Sequence, residues 1–151
     1  MTTISEVTLA PREIRSLIRN SKFERPTAGV APGYVQANLA ILPKELAFDF
    51  LLFCQRNPKP CPLIEVLEPG QIEVSTTAPK SDIRTDIPLY RVYENGEFKS
   101  EISNLQEIWE EDFVSFLLGC SFSFESALIK NGIRLPHFEN GTNVSTYITN
   151  I

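Results

Sequence analysis

In NLQEIWEEDFVSFLLGC, residues 104–120, Asn104 stands three positions before Glu107. That is the spacing of a capping box, in which two side chains satisfy the free amides of a first helical turn. Leu105, Ile108, Trp109, Phe113, Phe116 and Leu117 then recur at helical intervals. The stretch predicts a helix that ends at Gly119. A second helix is expected from near Ser121 or Ser123 to Asn131-Gly132, a good C-terminal cap. On this reading GCS, residues 119–121, is a corner between two helices.

Upstream, YRVYENGEFKSEI carries two alternating runs around Asn95-Gly96, the pair suited to a type I′ turn, and predicts a β-hairpin. Leu63 to Glu68 is rich in branched residues and reads as a strand stopped by Pro69-Gly70. The polar segment after it, with SDIRTD at residues 81–86, reads as a loop. KELAFDFLLFCQRN, opened by Pro43, predicts a helix with Leu46, Phe50, Leu51 and Cys54 on a buried face. Asn57 and PKPCP end it, because each proline blocks continued helix. Glycines and prolines at residues 26–33 make an ordered loop that feeds a short extended segment. Before it, Thr8 is placed to cap a helix running to about Lys22, with Ile14, Leu17 and Ile18 as its stripe. The tail NVSTYITNI reads as a strand. Helices and strands interleave without repeats, so the fold class is mixed α/β or α+β.

The chain has 151 residues, enough to bury a core without a disulfide or metal staple. Its net charge is −5 with no long basic run, which argues against a nucleic-acid partner. No apolar run approaches the roughly 20 residues of a membrane helix. The first residues lack the layout of a secretory signal, and three cysteines without CxxC spacing fit free thiols, so a cytoplasmic protein is expected. HExxH, HxH and CxxC are absent, and the residues demand no metal or organic cofactor.

Several residues are candidates for chemistry. Cys120 and Ser121 stand where a helix begins after a glycine, a place of free amides that favours an anion and lowers a thiol pKa. The plain alternative is a corner that needs small residues. Glu125, in the first turn, is a general base or a complement to the helix dipole. In SDIRTD, an extended backbone points Asp82, Arg84 and Asp86 the same way, so that Arg84 grips a carboxylate while an aspartate holds it; the alternative is a solvated loop with local ion pairs. His137 is the single histidine, and any imidazole acid–base scheme must use it. Tyr34, Gln36 and Asn38 fall at period two and offer three hydrogen-bonding groups to one side of an extended segment. Arg56, beside the PKPCP loop, is a further cation for a ligand.

Taken in order, PTAGVAPGYVQANLAILP, FLLFCQRNPKPCPLIEV, DIRTDIPLYRVYENGE, DFVSFLLGCSFSFESAL and NVSTYITNI resemble the hydro-lyase family that includes D-glutamate cyclase. The resemblance runs from about Arg12 to Ile151. It implies an α/β-type fold of two subdomains, mixed sheet packed with helices, and an activity that removes water, such as cyclisation of D-glutamate to 5-oxo-D-proline. Family members are longer, so residues 1–151 correspond to the N-terminal part of the domain, with the second half of the fold absent from this sequence. The implied partner is a small-molecule carboxylate, D-glutamate in the first instance, with a homo-oligomer left open.

Cyclising glutamate needs a held carboxylate, a base for the ammonium and donors for the developing oxyanion. The expected assignment gives the carboxylate to Arg84 or Arg56, the oxyanion to amides at Ser121 and Phe122, and the proton to Glu125 or His137. Tyr34, Gln36, Asn38 and Asn143 orient the substrate, with Asp86 and Cys120 beside them. A hydratase or lyase acting on another small carboxylate would use the same grip. A non-catalytic module that binds an acidic metabolite is the competing reading outside enzymes.

Overall fold

The computed structural model describes residues 9–140. Its elements are α1 (Pro11–Arg19), β1 (Ala37–Pro43), α2 (Lys44–Arg56), β2 (Leu63–Val66), β3 (Tyr90–Glu94), β4 (Glu97–Ile102), β5 (Phe113–Gly119), α3 (Phe122–Lys130) and the single turn α4 (Pro136–Glu139). Helices and antiparallel sheets are mixed, an α+β arrangement. Three strands form one sheet in the order β1-β5-β2, and β3-β4 form a separate hairpin.

The expected helix after Asn104 is overturned. Residues 103–112 are turns, and FVSFLLG is the central strand β5, antiparallel to both neighbours. Asn104 does not cap a helix: its side-chain oxygen accepts the Gln106 amide at 2.7 Å, a local turn that replaces the capping box. The physical reason lies in the two faces of β5. Phe116 presses edge-on against Phe50 of α2, with centroids 4.9 Å apart, so one face is covered by helix. Leu117 lies on the other face, among Leu67, Val74 and Ile83, with Leu39 of β1 directly across the ladder. A strand covered on both faces is apolar on both, and loses the alternation that would mark it.

The cover on that second face is the segment between β2 and β3, which the sequence presents as a polar loop. Its hydrogen bonds make it an ordered lid. The Val74 amide donates to Ser81 Oγ at 3.0 Å, the Ile83 amide to Ile72 O at 3.0 Å, and the buried Tyr90 hydroxyl to Ile83 O at 2.7 Å. Gly70 fixes its start. Its φ is +74°, its amide donates to Phe113 O, and a Cβ there would lie 2.6 Å from Glu111 O. No side chain fits that approach.

The hairpin and the second helix fold as their sequences predict. Asn95 and Gly96 have φ of 52° and 80°, the positive pair that a type I′ turn requires. Asn57 ends α2, its side-chain amide donating to Phe53 O at 2.8 Å. Leu46, expected on the buried face of α2, is exposed. The first helix is shorter than expected: Ala10 occupies its N-cap position, and the Glu13 carboxylate accepts the Ala10 amide at 2.8 Å. Thr8 and the tail strand NVSTYITNI lie outside the described residues.

Phe116 is 1% exposed and Phe48 is 70% exposed, which separates core from surface on neighbouring elements. Phe116→Ala should cost about 3–5 kcal/mol in urea unfolding. Phe48→Ala should stay within about 0.5 kcal/mol of the parent protein.

Candidate functional site

A cavity of about 420 Å³ opens between α1, the loop entering β1, the lid and α3. Its apolar wall includes Ile14 and Ile18 of α1, Leu39 of β1, Leu117 of β5, and Val74 and Ile83 of the lid. These side chains meet there for simple reasons. Pro11, Ile14, Arg15 and Ile18 recur at three- and four-residue steps, so one face of α1 reaches the cavity. Leu39 and Leu117 are register partners on the sheet face that the lid covers.

α3 is held against Gln36, the residue before β1, by a reciprocal clasp. The Gln36 amide donates to Ser123 Oγ at 2.9 Å, and the Ser123 hydroxyl donates to Gln36 O at 3.1 Å. The Cys120 amide also donates to Gln36 O. Gly119 makes the corner possible: its amide donates to Pro62 O at 2.7 Å, and a Cβ would sit 3.1 Å from the Pro62 ring. The corner thus joins a strand to a helix, instead of two helices.

Glu125, in the first turn of α3, lines the cavity and lies 2.8 Å from His137 Nε2 through its Oε1. His137 is buried and Glu125 nearly so, with 6% and 17% of their side chains exposed. The two residues read separately in the sequence as proton carriers form one pair, with His137 presented from α4.

At another part of the wall, Asp86 is a buried carboxylate. Arg19 grips both of its oxygens, with Nη2 to Oδ2 at 2.7 Å, and the Asp82 amide donates to Oδ2 at 2.9 Å. The hydrogen bond to Asp86 pushes the Arg19 guanidinium above its ordinary pKa. Arg15 approaches the same carboxylate only to 3.6 Å from Nε to Oδ2, and its Nε is buried without a hydrogen-bond partner.

The expected assignments divide. Tyr34, Gln36, Asn38, Asp86 and Glu125 line the cavity, although only Asn38 of the first three lies within β1. Arg84 does not line it. SDIRTD is not extended but turned, with the Thr85 and Asp86 amides donating to Asp82 O. Arg84 therefore folds back to fork Asp82, Nε to Oδ1 at 3.0 Å and Nη2 to Oδ2 at 2.8 Å. Arg56 is exposed at the end of α2, away from the cavity lining. Cys120 and Ser121 stand at the corner without lining the cavity. Asn143 lies outside the described residues. Arg15 and Ser123 are cavity residues that the sequence reading passed over. The signal for Arg15 was its place between Ile14 and Ile18 on the buried stripe of α1.

Cys54, Cys61 and Cys120 are free thiols. Burial, then the neighbouring Cys61, pushes the Cys54 thiol up, which disfavours the nucleophilic thiolate there. Among the described residues no cluster of three histidine, cysteine or acidic side chains is placed to hold a metal ion. Nor is any helix among them long and apolar enough to cross a membrane.

Comparison with known proteins agrees with the order of these segments. The D-glutamate cyclase family model matches residues 114–151, from β5 onward. The chain is 58% identical to "Putative hydro-lyase YcsI" of Bacillus subtilis (strain 168) over 143 residues, 95% of this chain and 56% of that protein. The corresponding "Putative hydro-lyase" proteins of Geobacillus kaustophilus (strain HTA426) and Stutzerimonas stutzeri (strain A1501) are each 57% identical over 143 residues. Over 95% of its length the chain is thus similar to proteins named "Putative hydro-lyase", and over residues 114–151 to the D-glutamate cyclase family. It spans about half the length of these family relatives, 54–56%.

The segment DIRTD, residues 82–86, carries a pH dependence of its own. Burial pushes the Asp82 carboxyl up, but the hydrogen bonds and charge of Arg84 outweigh it and hold the carboxyl below its usual range. A depressed carboxyl contributes stability at neutral pH and loses it as pH falls through its folded value. Asp82→Asn should therefore reduce stability at pH 7 and flatten its decline below about pH 4, as read by thermal melts across pH.

Proposed function

We propose that the cavity holds a small organic acid from which water is removed, and that Glu125 with His137 moves the proton. The observation that carries this reading is the 2.8 Å pair itself: a carboxylate on the cavity wall backed by a buried imidazole. The family resemblance supports the reaction class, and cyclisation of D-glutamate is its concrete form.

In that reaction the substrate ammonium loses a proton, and its nitrogen attacks the γ-carboxyl carbon. The C–N bond forms, the nitrogen gives up a second proton, a C–O bond breaks, and the departing oxygen leaves as water with the two protons that the nitrogen has lost. A base must accept the first proton and an acid must return one to the leaving oxygen. Glu125 and His137 suit this exchange, because a proton taken by the carboxylate is shared along the hydrogen bond with the imidazole. Burial of the pair keeps bulk water from competing for that proton. Asp86 is assigned to structure, because Arg19 and the Asp82 amide already occupy its oxygens.

A second reading is binding of the same acid without chemistry. It is favoured by the position of His137, whose bond to Glu125 also ties α4 to α3. Incubation with D-glutamate, and separately with L-glutamate, followed by chromatography for 5-oxoproline, distinguishes the two. Product that falls by at least about 100-fold in Glu125→Gln and in His137→Gln supports the lyase. A raised Tm with an acid and no product supports the binding module.

A further inference from the structure

Cys54 and Cys61 are neighbours away from the cavity, which neither of them lines. Cys54 lies in the last turn of α2 and is only 2% exposed, while Cys61 is partly open to solvent in the turn that follows. Two backbone hydrogen bonds bring them together. The Asn57 amide donates to Cys54 O at 3.1 Å as α2 ends, and the Cys61 amide donates to Asn57 O at 3.0 Å. The chain folds back on the helix end, and the Cys61 thiol shares a hydrogen bond with that of Cys54. Pro58, Pro60 and Pro62 alternate through this stretch, and each fixes its φ, so the turn has little freedom to open. Pro62 is anchored in turn, because its carbonyl accepts the Gly119 amide at 2.7 Å. Cys61 is thus held on both sides.

Two thiols held in contact behave unlike one. A single thiol that meets a disulfide stops at the mixed disulfide or exchanges back. A second thiol fixed beside it completes the exchange, at an effective concentration far above that of any thiol in solution. The two sulfurs also differ. Burial, then the charge of Cys61, pushes the Cys54 thiol up, so the partly exposed Cys61 meets a reagent first. A Cys61 sulfur tied into a mixed disulfide carries no charge against Cys54, which then ionises more readily.

We propose that Cys54 and Cys61 are a dithiol site that exchanges with low-molecular-weight disulfides, Cys61 as the attacking sulfur and Cys54 as the resolving one. With glutathione disulfide, the Cys61 thiolate attacks one sulfur of the reagent. The reagent's S–S bond breaks, a mixed disulfide forms on Cys61, and one glutathione thiolate leaves. Cys54, its proton given to solvent, then attacks the Cys61 sulfur. The mixed disulfide breaks, the Cys54–Cys61 bond forms, and the second glutathione thiolate leaves. Two electrons and two protons pass from the protein to the reagent, which becomes two glutathione thiols. The new bond ties the turn after α2, and through Pro62 the Gly119 corner, to the helix. The site stands apart from the cavity, and its assignment does not depend on the reaction proposed there.

Incubation of the folded 151-residue chain with excess glutathione disulfide, followed by intact mass and peptide mapping, tests this. Trypsin cuts after Arg56, between the two cysteines, so a link between them joins two separate peptides. The parent protein should lose the mass of two hydrogen atoms, show the Cys54–Cys61 link, and recover its mass in dithiothreitol. Cys54→Ser should stop at one glutathione on Cys61. Cys61→Ser should be modified at Cys54 at least about tenfold more slowly than Cys61 is in Cys54→Ser. The parent protein's mass and link need no variant, so a variant that fails to fold leaves the test intact. A lasting glutathione adduct on Cys61 of the parent, a link from either residue to Cys120, or no reaction of the folded chain overturns the proposal. So does a folded Cys54→Ser that takes up no glutathione.

Discussion

Phe113–Gly119 pairs on both edges at once, and nearly every other placement depends on that pairing. The β1 ladder carries Ala37 to Pro43 past it in continuous register, which brings α2 down on one face. The β2 ladder is shorter and slips once between Leu63 and Glu65. From β2 the chain passes directly into the lid, and Leu67 still bonds through its amide to Ser115 O. The lid is thus launched from the sheet it covers. At the far end of β5, Gly119 turns against Pro62 and delivers α3 to the cavity. One strand sets the positions of helix, lid and site wall together.

A second constraint is electrostatic. A carboxylate as buried as Asp86 is tolerable only with strong partners, since taking an isolated ion out of water costs several kcal/mol. Arg19 and the Asp82 amide supply them and join α1 to the lid. The join positions the face of α1 that carries Ile14, Arg15 and Ile18 at the cavity.

Much of the local structure was legible because its signals are local. Asn95-Gly96 needs two positive φ values, which few other pairs supply, and Asn57 with the prolines ends α2 by removing donors. β5 was not legible because it is covered on both faces. Its apolar residues carry no period of two, and Leu105, Ile108 and Trp109 upstream completed a helical spacing by coincidence. Only the ladder partners decide between the two, and they are some 50 to 80 positions away in the chain. In the candidate site, Gln36, Asn38, Asp86, Glu125 and His137 could be named from residue type. Arg84 was misplaced because it has an anion two residues away, and a turn satisfies it sooner than a ligand could. Arg15 was missed because its place at the cavity depends on how α1 packs against the lid, a tertiary fact.

The clasp between Gln36 and Ser123 spans 87 positions, and the grip of Arg19 on Asp86 spans 67. Such closures bear a chain-entropy cost before any contact rewards them, so they come late in folding. The hairpin, whose partners are close in sequence, can form early and alone. The cavity then exists only once the sheet is complete, because its walls come from segments far apart in the chain. The same order runs in reverse during native fluctuations. Release of the clasp would free α3 without breaking a β1-β5 ladder bond, so the wall that α3 supplies to the cavity can loosen before the sheet does.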